Sequence, residues 1–164
     1  MMPPVLNIRG LSAGAVDGDG RHIQLEWRSH PACSPTGFQY TAWEEVPQQV
    51  DRVCDWFNSG VANRAGAAEL AAGLYYNLVV VHPFSNGNGR LCRLLASTAF
   101  QRVGLPFAVL PDNGHSKSRQ QFQQAWQWAD RHVHDPLKHL EVYMLQCLLQ
   151  TCLNLKLSQF RVVS

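Results

Sequence analysis

From Val46 onward the chain carries apolar residues at intervals of three and four, a periodicity that packed helices satisfy and strands do not. Val50, Val53, Cys54 and Phe57 share one face of a first helix, with Pro47 in its first turn and Gly60 at its end. Ala67, Leu70, Ala71, Leu74, Leu78 and Val81 share a face of a second, running from about residue 62 to 81, whose alanines permit close approach of a neighbour. Pro83 disfavours helix at His82 and stops it there. A third helix, Asn88 to Val103, closes at Gly104 and Pro106. A fourth, capped by Ser116 or Ser118, carries Phe122, Ala125, Trp126 and Ala129; a fifth, opened by Pro136, buries Leu140, Met144, Leu148 and Leu155. Ahead of residue 46 the texture changes to glycine- and proline-punctuated sequence. There Asp17-Gly18-Asp19-Gly20 predicts a tight turn, Ile23, Leu25 and Trp27 alternate with polar residues as in a half-buried strand, and Gly37 to Thr41 returns antiparallel to it. The expected fold class is all-α, a mostly helical bundle with a small N-terminal β-hairpin. It forms one domain over residues 1–164, with the hairpin segment in 1–45, the helical core in 46–157 and a loop at 82–90.

A chain of 164 residues, 46% hydrophobic, is long enough for one substantial core and does not demand a second. A net charge of +2, with no basic run interleaved with aromatics, argues against a nucleic-acid or membrane-surface role. No apolar run approaches the ~18 residues of a membrane span, and Met1-Met2-Pro3-Pro4 lacks the charged and apolar regions of a signal peptide. The expected location is the cytoplasm, of the producing cell or of a host into which the protein is delivered; the doubled Met suggests a fragment of a longer protein. Five cysteines, odd in number and without a CxxC pair, point to reduced and mostly buried thiols rather than disulfides or a zinc knuckle.

The loop joining the second and third helices reads His82-Pro83-Phe84-Ser85-Asn86-Gly87-Asn88-Gly89-Arg90, with Arg93 one turn on. Glycines at 87 and 89 free the backbone to turn successive N–H groups toward one anion, and the helix that begins there adds its positive end. Arg90 and Arg93, at i and i+3, both reach a polyphosphate held at that terminus. His82, with an ordinary pKa near ~6.5, accepts a proton from an attacking hydroxyl when neutral. Phe84 points into the core and anchors the loop. Taken singly, each piece is also a turn, a cap or a solvated face; their adjacency favours attack on a phosphate ester or anhydride.

These residues resemble the signature of Fic-domain proteins: His-Pro-Phe, any residue, an acidic residue, Gly-Asn-Gly-Arg, two residues, Arg. His82, Pro83, Phe84, Gly87, Asn88, Gly89, Arg90 and Arg93 stand in register with it. The likeness extends over most of residues 20 to 150. It implies a helical fold with a β-hairpin flap, and an enzyme that transfers a nucleoside monophosphate, usually AMP from ATP, to a Ser, Thr or Tyr hydroxyl of another protein. By resemblance, His82 is the base; Gly87, Asn88 and Gly89 line the anion hole, with Asn88 on the α-phosphate; Arg90 and Arg93 orient the β- and γ-phosphates; and Ile23, Leu25, Phe38 and Tyr40 belong to the flap that docks the target by strand addition.

Asn86 departs from the pattern. The family's acidic residue at this position holds Mg²⁺ (or Mn²⁺) on the nucleotide, and an amide oxygen is a weaker, neutral ligand. Three outcomes stay open: a weaker or differently metallated transferase, transfer of a different phosphate-containing group, or a module that binds nucleotide or a partner without catalysis. Family members are often restrained by a helix with Ser or Thr four residues before a Glu; Thr41 and Glu45 have the spacing but not the context, which leaves restraint by a separate partner or a lost N-terminal segment, or no restraint at all. His132, His134, His139 and Asp135 are read as a solvated turn rather than a metal site. His115 and Asp112 lie where the family places a nucleotide-lining segment, Lys117 and Arg119 fit either a nucleotide contact or a polar helix start, and the five tryptophans are read as packing residues.

Overall fold

Pro47 lacks an N–H that the first helical turn would leave unpaired, and α1 (Val46–Ala62) begins one residue before it. The computed structural model describes residues 6–8, 27–35, 37–109, 111, 120, 124, 127 and 137–161, with side chains as far as Lys156. Among them lie α1, α2 (Ala67–Val81), α3 (Asn88–Arg102) and α4 (Lys138–Arg161), with a 3₁₀ turn at Trp43–Glu45 leading into α1. The fold is mostly helical, as expected.

The central element is α2, because its apolar residues are not confined to one stripe: Ala68, Leu70, Ala71, Ala72, Gly73, Leu74, Tyr75, Leu78 and Val81 are all buried. It packs against α1, α3 and α4, most extensively against α3. Close approach to α1 depends on two glycines. A Cβ at Gly60 would stand 2.5 Å from Leu70 Cδ2, and one at Gly73 would enter the Trp56 ring, 2.8 Å from Cζ2. Gly60 therefore serves helix contact and does not end α1, which continues to Ala62. The end comes at Arg64, in the left-handed region at φ 59°. Ala65 N–H donates to Gly60 O at 2.9 Å and Arg64 N–H to Val61 O at 3.2 Å, the paired bonds that close a helix through a left-handed residue. This turn delays the second helix from the expected residue 62 to Ala67. The same bond pair at Gly104 (φ 105°), with Leu105 N–H to Phe100 O and Gly104 N–H to Gln101 O, both 3.1 Å, ends α3 where expected.

In α4, Leu140 and Met144 are buried and Leu148 is half-buried, but Leu155 is 43% exposed, against expectation. Only the first turns of the helix reach the core; Leu149 and Leu153 are exposed as well. The expected fourth helix, with Ser116, Ser118, Phe122, Ala125, Trp126 and Ala129, lies outside the described residues, as does Pro136; Gln120, Gln124 and Gln127 are helical and exposed, the polar side of such a helix.

Several contacts order the N-terminal segment. Asn58 pairs its amide with the Leu6 backbone, accepting from Leu6 N–H at 2.9 Å and donating to Leu6 O at 3.2 Å, which buries Ile8 against α1. Cys33 and Gln39 form an antiparallel bridge across a turn closed by Ser34 N–H to Phe38 O at 2.8 Å. Trp27 bridges Phe84 of the motif loop. Asp17 to Gly20, Ile23 and Leu25 lie outside the described residues; where the expected hairpin is described it is corrected, since Trp27 of the first arm pairs with Phe84 and the second arm pairs with residues 32–34 of the intervening loop. None of the five cysteines is in a disulfide; Cys54 and Cys92 are buried, but Cys33 and Cys152 are exposed, which corrects the expectation of mostly buried thiols. No helix among the described residues is long and apolar enough to cross a membrane.

Candidate active site

A helix leaves its last carbonyls without partners, and at the end of α2 other segments supply them. Thr41 donates its N–H (3.1 Å) and Oγ1 (3.3 Å) to Val80 O. Arg28, only 2% exposed, donates Nη2 to Val81 O at 3.2 Å, Nε to His82 O at 2.7 Å, Nη1 to His30 O at 2.9 Å and Nη2 again to Thr41 O. Its backbone N–H takes Pro83 O at 2.9 Å. A buried guanidinium is stable only when its donors are used, and a cation at a helix C-terminus is favoured by the dipole.

His82 follows in the left-handed region (φ 49°, ψ 59°), as the C-cap of α2. Its imidazole stacks on Tyr40, centroids 3.9 Å apart and planes 15° from parallel. Nδ1 is buried without a hydrogen-bond partner, so Nε2 is the nitrogen this ring has to present. Burial, and then the Arg28 charge, push the His82 pKa down; the Val79 carbonyl acts the other way but falls short of hydrogen-bond geometry. The net effect keeps the imidazole neutral, the form that takes up a proton.

Phe84 is buried and stacks on Trp27 at 5.1 Å, the anchor expected of it. Asn88 is buried too, and both its amide atoms go to the Phe84 backbone: Oδ1 accepts from the N–H at 2.9 Å and Nδ2 donates to the carbonyl at 2.6 Å. Its side chain thus braces the loop. Gly87, the N-cap of α3 at φ 85°, needs the conformation only glycine adopts without strain. No side chain caps α3, so the first-turn N–H groups of Asn88, Gly89 and Arg90 are open. Helical side chains lean toward the N-terminus. Arg90 Nη2 accordingly lies 3.6 Å from where a Cβ on Gly87 would stand, and Arg93 Nη1 3.5 Å from that of Gly89. Two cations therefore flank the open turn.

Asn86 is exposed and its Oδ1 accepts from Gly87 N–H at 2.7 Å. A neutral oxygen already engaged by the loop does not fit a divalent cation held by the protein, and no group of three or more His, Cys, Asp or Glu suited to a metal occurs among the described residues. Phe38 meets Tyr40 edge-on at 5.5 Å. Asp112, His115, Lys117, Arg119, His132, His134 and Asp135 lie outside the described residues; His139 is exposed on α4. Arg28 escaped sequence reasoning, since nothing local distinguishes an arginine destined for another segment's carbonyls, and Thr41 was read as a hairpin residue, not as a partner of the α2 terminus.

Residues 10–100 match the Fic/DOC family. The protein adenylyltransferase fic-1 of Caenorhabditis elegans is 41% identical over 68 residues, 42% of this chain and 13% of that protein. The protein adenylyltransferase Fic of Drosophila willistoni is 40% identical over 68 residues and is covered over 14% of its length. The chain thus spans about one seventh of these curated relatives. A Fic domain containing signaling protein from Bacteroides thetaiotaomicron superposes with a TM-score of 0.67 at 26% identity, over 76% of this chain and 51% of that one. Fic-1 (residues 134–508) of C. elegans gives 0.54 at 25% identity, over 79% and 38%. With a match across more than half of its 164 residues and the motif loop folded between α2 and α3, the chain belongs to the Fic/DOC family.

Proposed function

We infer that the protein transfers AMP, or a related nucleoside monophosphate, from ATP to a hydroxyl side chain of a target protein. One observation carries this reading: a histidine kept neutral at the end of α2 shares its loop with an uncapped helix N-terminus flanked by two arginines. The names of the adenylyltransferase relatives supply the donor and the acceptor class. In the reaction, Nε2 of His82 takes the proton of the target hydroxyl as its oxygen bonds to the α-phosphorus; the bond from that phosphorus to the bridging oxygen breaks, and pyrophosphate leaves. The N–H groups of Asn88 and Gly89 face the charge gathering on the α-phosphate, where preorganised donors act most strongly. Arg90 and Arg93 hold the departing phosphates. Phe38 and Tyr40, with Ile23 and Leu25, belong to the segment that docks the target.

A second reading, a nucleotide-binding module without transfer, is favoured by Asn86, whose amide turns onto Gly87 instead of offering a carboxylate. Incubation of wild type, His82→Ala and Asn86→Asp with α- or γ-labelled ATP, Mg²⁺ or Mn²⁺, and candidate target proteins separates them. Label from the α position alone, a loss of ~100-fold or more in His82→Ala with nucleotide still bound, and a gain with Mg²⁺ in Asn86→Asp are expected. Binding without label in every variant and metal leaves the module; label from the γ position alone makes the chain a phosphoryl transferase.

A further inference from the structure

Two side chains with no part in the transfer step converge on His82. The hydrogen bond from the second ring nitrogen that commonly fixes a catalytic imidazole is not made, because Nδ1 is buried with no partner. Other contacts take its place. Arg28 holds three consecutive carbonyls around the histidine: Val81 and His82 through the guanidinium (3.2 and 2.7 Å) and Pro83 through its backbone N–H (2.9 Å). The Tyr40 ring lies flat on the imidazole, centroids 3.9 Å apart and planes within 15°, a stack that rotation of the ring would break. Both contacts belong to one unit, since the same guanidinium binds the carbonyl of Thr41, the residue after Tyr40.

We propose that Arg28 and Tyr40 are the positioning residues of His82, Arg28 fixing the backbone on both sides of the imidazole and Tyr40 fixing the plane of its ring. The proposal rests on His82 being the base. Neither residue meets the reacting atoms; both act by holding Nε2 where a hydroxyl and a phosphorus come together, and small misplacements of such a group cost about 100-fold in rate. Tyr40, with one face against the imidazole, thereby serves the base as well as the docking segment. Its hydroxyl is dispensable to the stack, which needs only an aromatic face. Lysine cannot replace Arg28, because a single ammonium does not span carbonyls from three segments.

The test uses the full chain as wild type, Tyr40→Phe, Tyr40→Leu and Arg28→Lys, labelled with ¹³C-histidine, the His82 signal being identified by its loss in His82→Gln. The Cε1–H resonance of His82 should carry the ring-current shift of the stacked phenyl in wild type and Tyr40→Phe, and lose it in Tyr40→Leu. In transfer assays kcat should fall ~10–100-fold in Tyr40→Leu with the nucleotide KM unchanged, and return in Tyr40→Phe. Arg28→Lys should shift the same resonance and lower kcat likewise; if it loses the helical circular dichroism, the Tyr40 pair decides. A His82 resonance and kcat in Tyr40→Leu that match wild type overturn the proposal. So does a loss that appears in KM alone, or one that Tyr40→Phe fails to restore. Should wild type transfer no nucleotide, the functional reading falls, while the resonances still decide whether Tyr40 and Arg28 position His82.

Discussion

His82 is held in its neutral form by burial first and by the Arg28 charge second. Its folded pKa therefore lies below that of the unfolded chain, ~6.5. The unfolded state binds the proton more readily, so the contribution of His82 to stability is full above ~6.5 and is lost as pH falls through the folded value. Urea titrations between pH 8 and 5 should show wild type losing stability toward acid more steeply than His82→Gln; equal slopes would remove the depressed pKa. If His82 is the base, as proposed, the acid limb of a kcat–pH profile should lie below the ordinary imidazole range, and a limb at or above that range would count against it. The motif loop was legible because its glycines, arginines and histidine stand together in one short stretch that matches the family signature. The side chains that set them were not: Arg28 reads locally as one more charge after a strand, and its meaning lies in carbonyls more than fifty positions away. Asn88 was legible as a loop residue, but not as a brace that puts its whole amide on Phe84.

Among the elements, the α1–α2 contact is the least forgiving, because Trp56 lies where a side chain on Gly73 would be. Gly73→Ala should destabilise the protein by about 1–3 kcal/mol, despite alanine's better helix propensity, since the indole must move. Chemical denaturation checks the loss, and a shift in tryptophan emission its cause. Helix ends divide in an instructive way. Gly104 announced the end of α3, as glycine in a left-handed position usually does; Arg64 takes the same conformation at the end of α1 with a side chain that advertises helix, and Gly60, which advertises an end, sits inside. Periodicity located the helices, while the contacts that choose their ends involve residues far apart in sequence.

Among the described residues, the buried core is concentrated around α2, and α4 joins it through Leu140, Tyr143 and Met144 of its first turns. Leu140→Ala should cost about 2–5 kcal/mol, whereas Leu149→Ala, at a position 61% exposed, should stay within about 0.5 kcal/mol; parallel urea melts of the two variants measure the contrast. The bond from Arg28 to His82 joins positions 54 apart, whereas α2 and α3 are neighbours in the chain. Contacts between adjacent helices close short loops and form quickly; a contact that spans a third of the sequence waits for the rest. The loop between α2 and α3 is thus framed by local contacts, whereas the histidine is held by contacts that draw in the N-terminal segment. The loop and the posture of its histidine therefore have separate supports, and a chain that lost the hold of Arg28 and Tyr40 would keep the first without the second.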